Sequence, residues 1–293
     1  MIPFLDFLHI LNPNQKSRRQ VERYFKKHPI FKSIWVDRSS HPTHLETIIE
    51  WAILGGYKHI AVWGGDGTLS RAIQSLYERK ALDKVVLCFV PVGTGNDFCR
   101  RFSLGSWKKW IREYESDTGK IETYDLGLLA FQETNRIFLN NAGFGRSREA
   151  LDRTKSHPIK DIKEFHTHKL EVEWENGESH QFETVWAYLG IVFNSPFFNK
   201  GLYFDKMIHP ADKRLTGILV PPQNRFGLFM KFVKSRLGGS LASSSNMRIE
   251  GQEINIKSEE PLYPQVDGEV LTKEGTNELK FKVLPNSFKL LVP

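Results

Sequence analysis

The chain has 293 residues, enough for one large domain or two of ordinary size, and two are expected. Its 40% hydrophobic and 26% charged residues form an ordinary globular balance that excludes wholesale disorder. Lys and Arg number 41 against 34 Asp and Glu, and the net charge of +7 favours an anionic partner: a nucleotide, a nucleic acid or an acidic membrane surface.

Met1 to Leu11 is apolar but interrupted by Asp6 and His9; it lacks a basic leader and a cleavage signal, and reads as a first strand. No run approaches the roughly 18 to 20 uncharged apolar residues of a membrane-spanning helix, so any membrane contact is expected to be peripheral. Strand patterns follow at Phe31 to Val36, Tyr57 to Trp63 and Val85 to Val90, and helical patterns at Lys16 to Lys27, Thr43 to Leu54 and Leu69 to Arg79. That alternation predicts βαβ units around a parallel sheet, whose ligands bind beyond the carboxyl ends of the strands. After about Leu126 the texture changes to strand upon strand: Arg136 to Ala142, His166 to Trp174, Thr184 to Phe193, Met247 to Ile256 and Leu279 to Leu284. A β-rich second domain is expected, interrupted by a polar helical stretch near Ser147 to Lys160 and a basic amphipathic one from Arg225 to Leu237. The two cysteines, Cys88 in an apolar run and Cys99 after a loop, suggest neither a disulfide framework nor a zinc site, and fit a reducing cytosol.

Two Gly-rich loops carry the chemistry. Gly64-Gly65-Asp66-Gly67-Thr68 follows one strand and precedes a helix, and its glycines let the backbone take positive φ and approach a ligand closely, turning consecutive N–H groups toward a phosphate. Asp66 beside phosphates suits a cation ligand or a proton acceptor; the plainer alternative is a tight turn with Asp66 as helix cap. Gly93-Thr94-Gly95-Asn96-Asp97 follows the next strand, with Thr94 and Asn96 as neutral hydrogen-bonding groups and Asp97 as a ligand to a metal-bound water or a helix cap. Together the loops suggest one nucleotide site.

The pair GGDGT and GTGND, in this order and each after a strand, resembles the diacylglycerol kinase catalytic-domain family, which includes bacterial soluble lipid kinases and is related to sphingosine and ceramide kinases. GGDGT alone also occurs in NAD kinases, which share the fold. Further segments resemble the family's motifs: Asn12-Pro13, Ser39 with His44, Asp125-Leu126-Gly127, Phe138 to Gly145, and Val266-Asp267-Gly268-Glu269. The loop Asn12 to Ser17 lacks the family's usual glycine, and Thr216-Gly217 stands where the family has Asp-Gly; the structural Mg²⁺ site that some members place there is not expected here, despite Asp212 nearby.

The resemblance implies an NAD kinase-like α/β nucleotide-binding domain with a parallel sheet over residues 1–125, to which 286–293 return as a strand, and a β-rich sandwich domain that binds lipid over 126–285. It implies ATP phosphates on Gly64, Gly65, Gly67 and Thr68, with Asn12, Ser39, Gly93, Thr94, Gly95 and Asn96 lining the nucleotide. Asp267 would accept the substrate hydroxyl proton, brought to the γ-phosphate by the second domain, with Asp66 also catalytic. Asp66, Asp97 and Asp125 would hold Mg²⁺ directly or through water. Without the resemblance, Asp267-Gly268 reads as a hairpin turn, and Glu269 as either a site residue or surface charge.

The expected activity is therefore ATP-dependent phosphorylation of a lipid hydroxyl by a cytoplasmic enzyme peripherally bound to an acidic membrane. An NAD kinase-like enzyme and a catalytically silent nucleotide- or lipid-binding regulator are the alternatives. The Arg225 to Leu237 segment suits either a membrane surface or, more commonly for such helices, packing on the β domain. Ser195-Pro196-Phe197-Phe198 suits either an acyl-chain pocket or the core. No nucleic-acid-binding motif accompanies the positive charge, so nucleic acid is not an expected partner. The oligomeric state stays open, a homodimer included.

Overall fold

The computed structural model describes residues 4–36, 43–116, 119–145, 166–175, 179–198, 201–205, 207–222 and 246–293. Ser39 and the segments Ser147 to Lys160 and Arg225 to Leu237 lie outside them. The chain divides into two compact units, Met1–Tyr124 with Asn286–Pro293, and Asp125–Pro285.

The first unit begins with a short 3₁₀ turn, Phe4–Asp6. It continues through β1 (Leu8–Leu11), α1 (Gln15–Lys27), β2 (Ser33–Trp35), α2 (His44–Leu54), β3 (His59–Gly64), α3 (Asp66–Glu78), β4 (Val86–Pro91), α4 (Asp97–Arg100) and α5 (Trp107–Glu115). The strands run parallel in the order β2-β1-β3-β4, with Leu11 opposite Trp63 and Gly64 opposite Pro91, so the carboxyl ends of β1, β3 and β4 finish side by side. Apart from His59 and Val86 at their starts, β3 and β4 are buried along their length, as a parallel sheet covered on both faces requires. Residues Lys289 to Leu291 add a further parallel strand beside β4. Helix α5 is absent from the sequence reading. Its apolar Trp110, Ile111 and Tyr114 are buried, and the Tyr114 hydroxyl donates to the carbonyls of Phe89 and Leu291.

His9 is fully buried on β1, where its Nδ1 accepts the Trp63 indole N–H at 2.9 Å and its Nε2 lies 3.2 Å from the Phe4 carbonyl. Both contacts suit a neutral ring with the proton on Nε2. Burial pushes its pKa from 6.5 down to about 4. Between those values the unfolded chain binds the extra proton, so this stabilisation is complete above pH 6.5 and is lost as pH falls toward 4. Denaturant titration from pH 7 to pH 4 should show a loss on the order of 3 kcal/mol from this group. An NMR titration of His9 with a midpoint near 6.5 would remove it as the cause.

The second unit is almost entirely strand. It contains the later part of β5 (Lys120–Phe131), then β6 (Thr134–Phe138), β7 (Asn141–Phe144), β8 (His168–Glu175), β9 (His180–Ala187) and β10 (Leu189–Phe193). The short pair β11 (Phe197–Phe198) and β12 (Leu202–Tyr203) precedes β13 (Leu215–Val220), β14 (Met247–Gly251), β15 (Glu253–Leu262), β16 (Gln265–Val266), β17 (Glu269–Val270) and the start of β18 (Thr276–Val292). One sheet carries β18-β15-β8-β9 and the other β14-β13-β10-β7-β16-β17. Apolar side chains of both, among them Val172, Ile254, Ile256 and Phe281 from one and Ala142, Phe144, Val192 and Leu219 from the other, share a buried core. This is a β-sandwich.

Two expected strands are each divided between the sheets. Thr184 to Phe193 breaks at Tyr188, because β9 pairs with β8 while β10 pairs with β7 and β13. Met247 to Ile256 breaks at Gln252 in the same way, at a corner where a Cβ on Gly251 would lie 2.6 Å from the Glu175 carbonyl oxygen. Conversely, Leu279 to Leu284 and Phe288 to Val292 are one strand, β18, within which Asn286 adopts φ +51°.

Candidate active site

In the first unit, three loops meet at the strand ends. Gly65 is the extended N-cap of α3, with φ −105° and ψ −176°, and Asp66, Gly67 and Thr68 form the helix's first turn, so this helix starts three residues earlier than the pattern beginning at Leu69 indicates. The Thr68 N–H donates to the Gly65 carbonyl at 2.9 Å, and the N–H groups of Asp66 and Gly67 with the positive end of the helix dipole provide a site for negative charge. The loop glycines do not adopt positive φ. They permit close approach instead: a Cβ on Gly93 would lie 2.3 Å from Gly65 Cα and 2.9 Å from Gly65 N, and a Cβ on Gly64 would lie 2.4 Å from Thr68 Cβ. The left-handed residue is Asn96, φ +54°, whose side-chain amide donates to the Gly93 carbonyl at 3.1 Å.

Polar side chains tie the three loops together. Asn12 donates to Thr68 Oγ1 at 3.0 Å, and Asp66 Oδ1 accepts the Phe98 N–H at 3.1 Å, joining the first turns of α3 and α4. Asn14, which the sequence reading did not assign, caps α1 by accepting the Ser17 N–H at 2.8 Å and lies 3.4 Å from Thr94 Oγ1. An Asn two residues before a basic helical run was the available signal. Asp97, buried at the start of α4, lies 3.4 Å from Arg100 Nε. Gly67 is exposed, and a Cβ added to it would meet nothing within 4 Å, which leaves open space at the helix turn.

In the second unit, three motif segments converge. Gly127 on β5 faces Phe138 on β6, and a Cβ there would sit 2.0 Å from the Phe138 ring. Gly127→Ala should therefore cost roughly 1–3 kcal/mol by overpacking, read as a lower denaturant midpoint. Leu139 and Asn140 then link β6 to β7, and the N–H groups of Leu139, Asn140 and Asn141 all donate to the Asp267 carboxylate at 3.0, 2.9 and 3.1 Å. Asp267 and Gly268 do form a two-residue hairpin turn, with φ +47° and +87°, yet the Asp267 side chain has this second role. Glu269 pairs with Arg136 at 3.1 Å and its side chain is 67% exposed.

Of the three carboxylates expected to hold magnesium, Asp66 and Asp97 belong to the first unit and Asp125 to the second. Among the described residues no group of three or more His, Cys, Asp or Glu side chains could hold a metal ion. Asp125 is buried in the second unit, where its Oδ2 accepts the Lys213 N–H at 2.7 Å and its own N–H donates to Pro210. Cys88 and Cys99 are both buried free thiols. Among the described residues no helix is long and apolar enough to cross a membrane.

Residues 7–128 match the family model of the diacylglycerol kinase catalytic domain, and residues 150–292 match that of the YegS C-terminal NAD kinase beta sandwich-like domain. The chain is 24% identical to YtlR of Bacillus subtilis (strain 168), assigned by name to the lipid kinases, across 86% of this chain and 87% of the relative. It is 28% identical to a diacylglycerol kinase of Staphylococcus haemolyticus (strain JCSC1435), across 80% and 71% of the two chains. Its fold matches the crystal structure of a diacylglycerol kinase from Bacillus anthracis str. Sterne with a TM-score of 0.71 at 16% identity, covering 100% of this chain and 98% of the other. With both models matched in sequence and the α/β and sandwich units present, residues 7–128 belong to the diacylglycerol kinase catalytic-domain family and residues 150–292 to the YegS C-terminal sandwich family.

Proposed function

We propose that the protein is an ATP-dependent kinase that phosphorylates a hydroxyl group of a membrane lipid, diacylglycerol or a close relative. The observation that carries this reading is the junction of the three strand-end loops in the first unit, where Gly65 and Gly93 meet backbone to backbone beside the first turn of α3. Such a junction offers N–H groups to the ATP phosphates while Asn12, Thr68, Thr94 and Asn96 hold the loops in register. Asp267 supplies the proton acceptor. As the lipid hydroxyl oxygen bonds to the γ-phosphorus, the bond from that phosphorus to the bridging oxygen breaks, ADP leaves, and the hydroxyl proton passes to the Asp267 carboxylate.

Magnesium in phosphoryl-transfer sites keeps several waters and takes one or two carboxylates plus substrate phosphates, and Asp66 with Asp97 can supply them in the first unit. When bound it neutralises phosphate charge. Asp125 serves the fold of the second unit through its bond to Lys213. The net charge of +7 would favour peripheral binding at the cytoplasmic face of an acidic membrane.

The test is transfer of labelled γ-phosphate from ATP and Mg²⁺ to a panel of mixed-micelle lipids, with NAD in parallel. Labelled lipid is expected, reduced on the order of 100-fold or more in Asp66→Asn, which keeps an oxygen for the Phe98 N–H but loses the charge. Label in NAD alone would overturn the proposal in favour of a dinucleotide kinase. No product anywhere would favour a silent nucleotide- or lipid-binding regulator.

A further inference from the structure

We infer that Asn194 is a positioning residue for the reaction, holding the backbone that presents three amides to Asp267. This rests on the reading of Asp267 as proton acceptor, and every residue involved belongs to the second unit. Asn194 directly follows β10 and is 1% exposed. Its side-chain amide Nδ2 donates to two carbonyls, Leu139 at 3.0 Å and Asp125 at 3.1 Å. Its backbone N–H and that of Ser195 both donate to the Asn140 carbonyl, at 2.9 and 3.1 Å. The Leu139–Asn140 link, whose N–H groups grip the Asp267 carboxylate from one side, is thus gripped through its carbonyls from the other.

A short link between two strands has few internal hydrogen bonds to fix its peptide planes. Here the Asn194 side chain sets the Leu139 peptide, and the backbone at Asn194 and Ser195 sets the Asn140 peptide. Rotation of either plane would swing an N–H away from Asp267. The same side chain reaches the Asp125 carbonyl, so the Asp-Leu-Gly segment, the Phe138 to Asn140 segment and the Asp267 turn share one anchor. Among the described residues Asn194 Oδ1 is buried without a hydrogen-bond partner, so the side chain's role is carried by its donor end. Asn is the residue that fits two carbonyls at this size, because its NH₂ offers two donors.

Asn194→Ala removes both donors and should lower kcat on the order of 100-fold, the scale of a small misplacement of a reacting group, with the nucleotide KM unchanged. Asn194→Asp separates donor loss from loss of packing. The introduced carboxyl has the same shape but, when ionised, faces two carbonyl oxygens in a buried position, so it takes a proton and can then restore one donor. Its kcat relative to wild type should therefore be highest at low pH and fall as pH rises. The third arm is the double variant with Asp267→Asn, in which the Asn194 changes should have no further effect on kcat.

A flat pH ratio near wild type for Asn194→Asp would overturn the positioning role. So would additive losses in the double variant. Should Asp267→Asn alone keep wild-type kcat, the reading of Asp267 fails first, and independently of Asn194. Thermal melting of each variant shows which of them are folded when assayed.

Discussion

Asp267→Asn should lower kcat for lipid phosphorylation roughly 10³-fold, within the range that a positioned general base contributes. Asn tolerates the left-handed conformation that position 267 adopts at φ +47°, so the hairpin turn survives. The side chain does not retain all its bonds. Oδ1 accepts from Asn140 and Asn141 and can still do so, whereas the other end now presents an NH₂ to the Leu139 N–H, donor against donor. That lost bond should cost about 1–3 kcal/mol of stability. The nucleotide KM should hold, because the loops proposed to carry the phosphates belong to the first unit. A folded variant with wild-type kcat on every lipid would remove Asp267 from the mechanism.

That substitution separates two functions that look identical in sequence. An Asp-Gly pair between short strands is read as a turn, and a turn is what forms. The three amides on the Asp267 carboxylate come from more than 120 residues earlier in the chain, and no local pattern announces them. The same limit explains Asn194. Its partners are carbonyls, which every residue has, so the side chain's selectivity arises only once the strands are paired.

Local periodicity served the first unit better. Parallel strands buried on both faces give continuous apolar runs such as Ile60 to Trp63 and Leu87 to Val90, and the helices between them keep a recognisable stripe. In the sandwich a single apolar run can serve two sheets, and nothing at Tyr188 or Gln252 marks the change of partner. β13 is absent from the sequence reading because Thr216 and Gly217 interrupt its apolar run, yet the strand is buried along its whole length. α5 was missed because Lys108, Lys109 and Arg112 dilute its three buried side chains. The acidic set rests on resemblance alone: motifs assign a shared role to Asp66, Asp97 and Asp125, and the fold adds that Asp125 accepts the Lys213 backbone amide.

Gly93→Ala should have the largest effect of any single methyl group in the first unit. The added Cβ would lie 2.3 Å from Gly65 Cα, 2.7 Å from Asn96 Oδ1 and 2.9 Å from Gly65 N. Two of those are backbone atoms at the β3–α3 junction, so the clash cannot be relieved by rotating a side chain. The loops must separate, and Val92 donates its N–H to the Gly64 carbonyl at 2.9 Å across the same seam. The cost should reach about 3 kcal/mol, with a melting temperature lower by roughly 5–10 °C. Nucleotide binding should weaken at least tenfold, because Asp66 and the α3 N–H groups move with Gly65.

Gly67→Ala provides the contrast, since among the described residues an added Cβ meets nothing within 4 Å. In the first turn of a helix the alanine should leave stability unchanged or raise it by up to about 1 kcal/mol. If the space over Gly67 belongs to a phosphate, the same methyl raises the nucleotide KM without lowering the melting temperature. Melting curves and nucleotide titrations of the two variants therefore distinguish a glycine required by the fold from one required by the ligand. Equal affinity for ATP in Gly67→Ala and wild type would move the phosphates away from that turn.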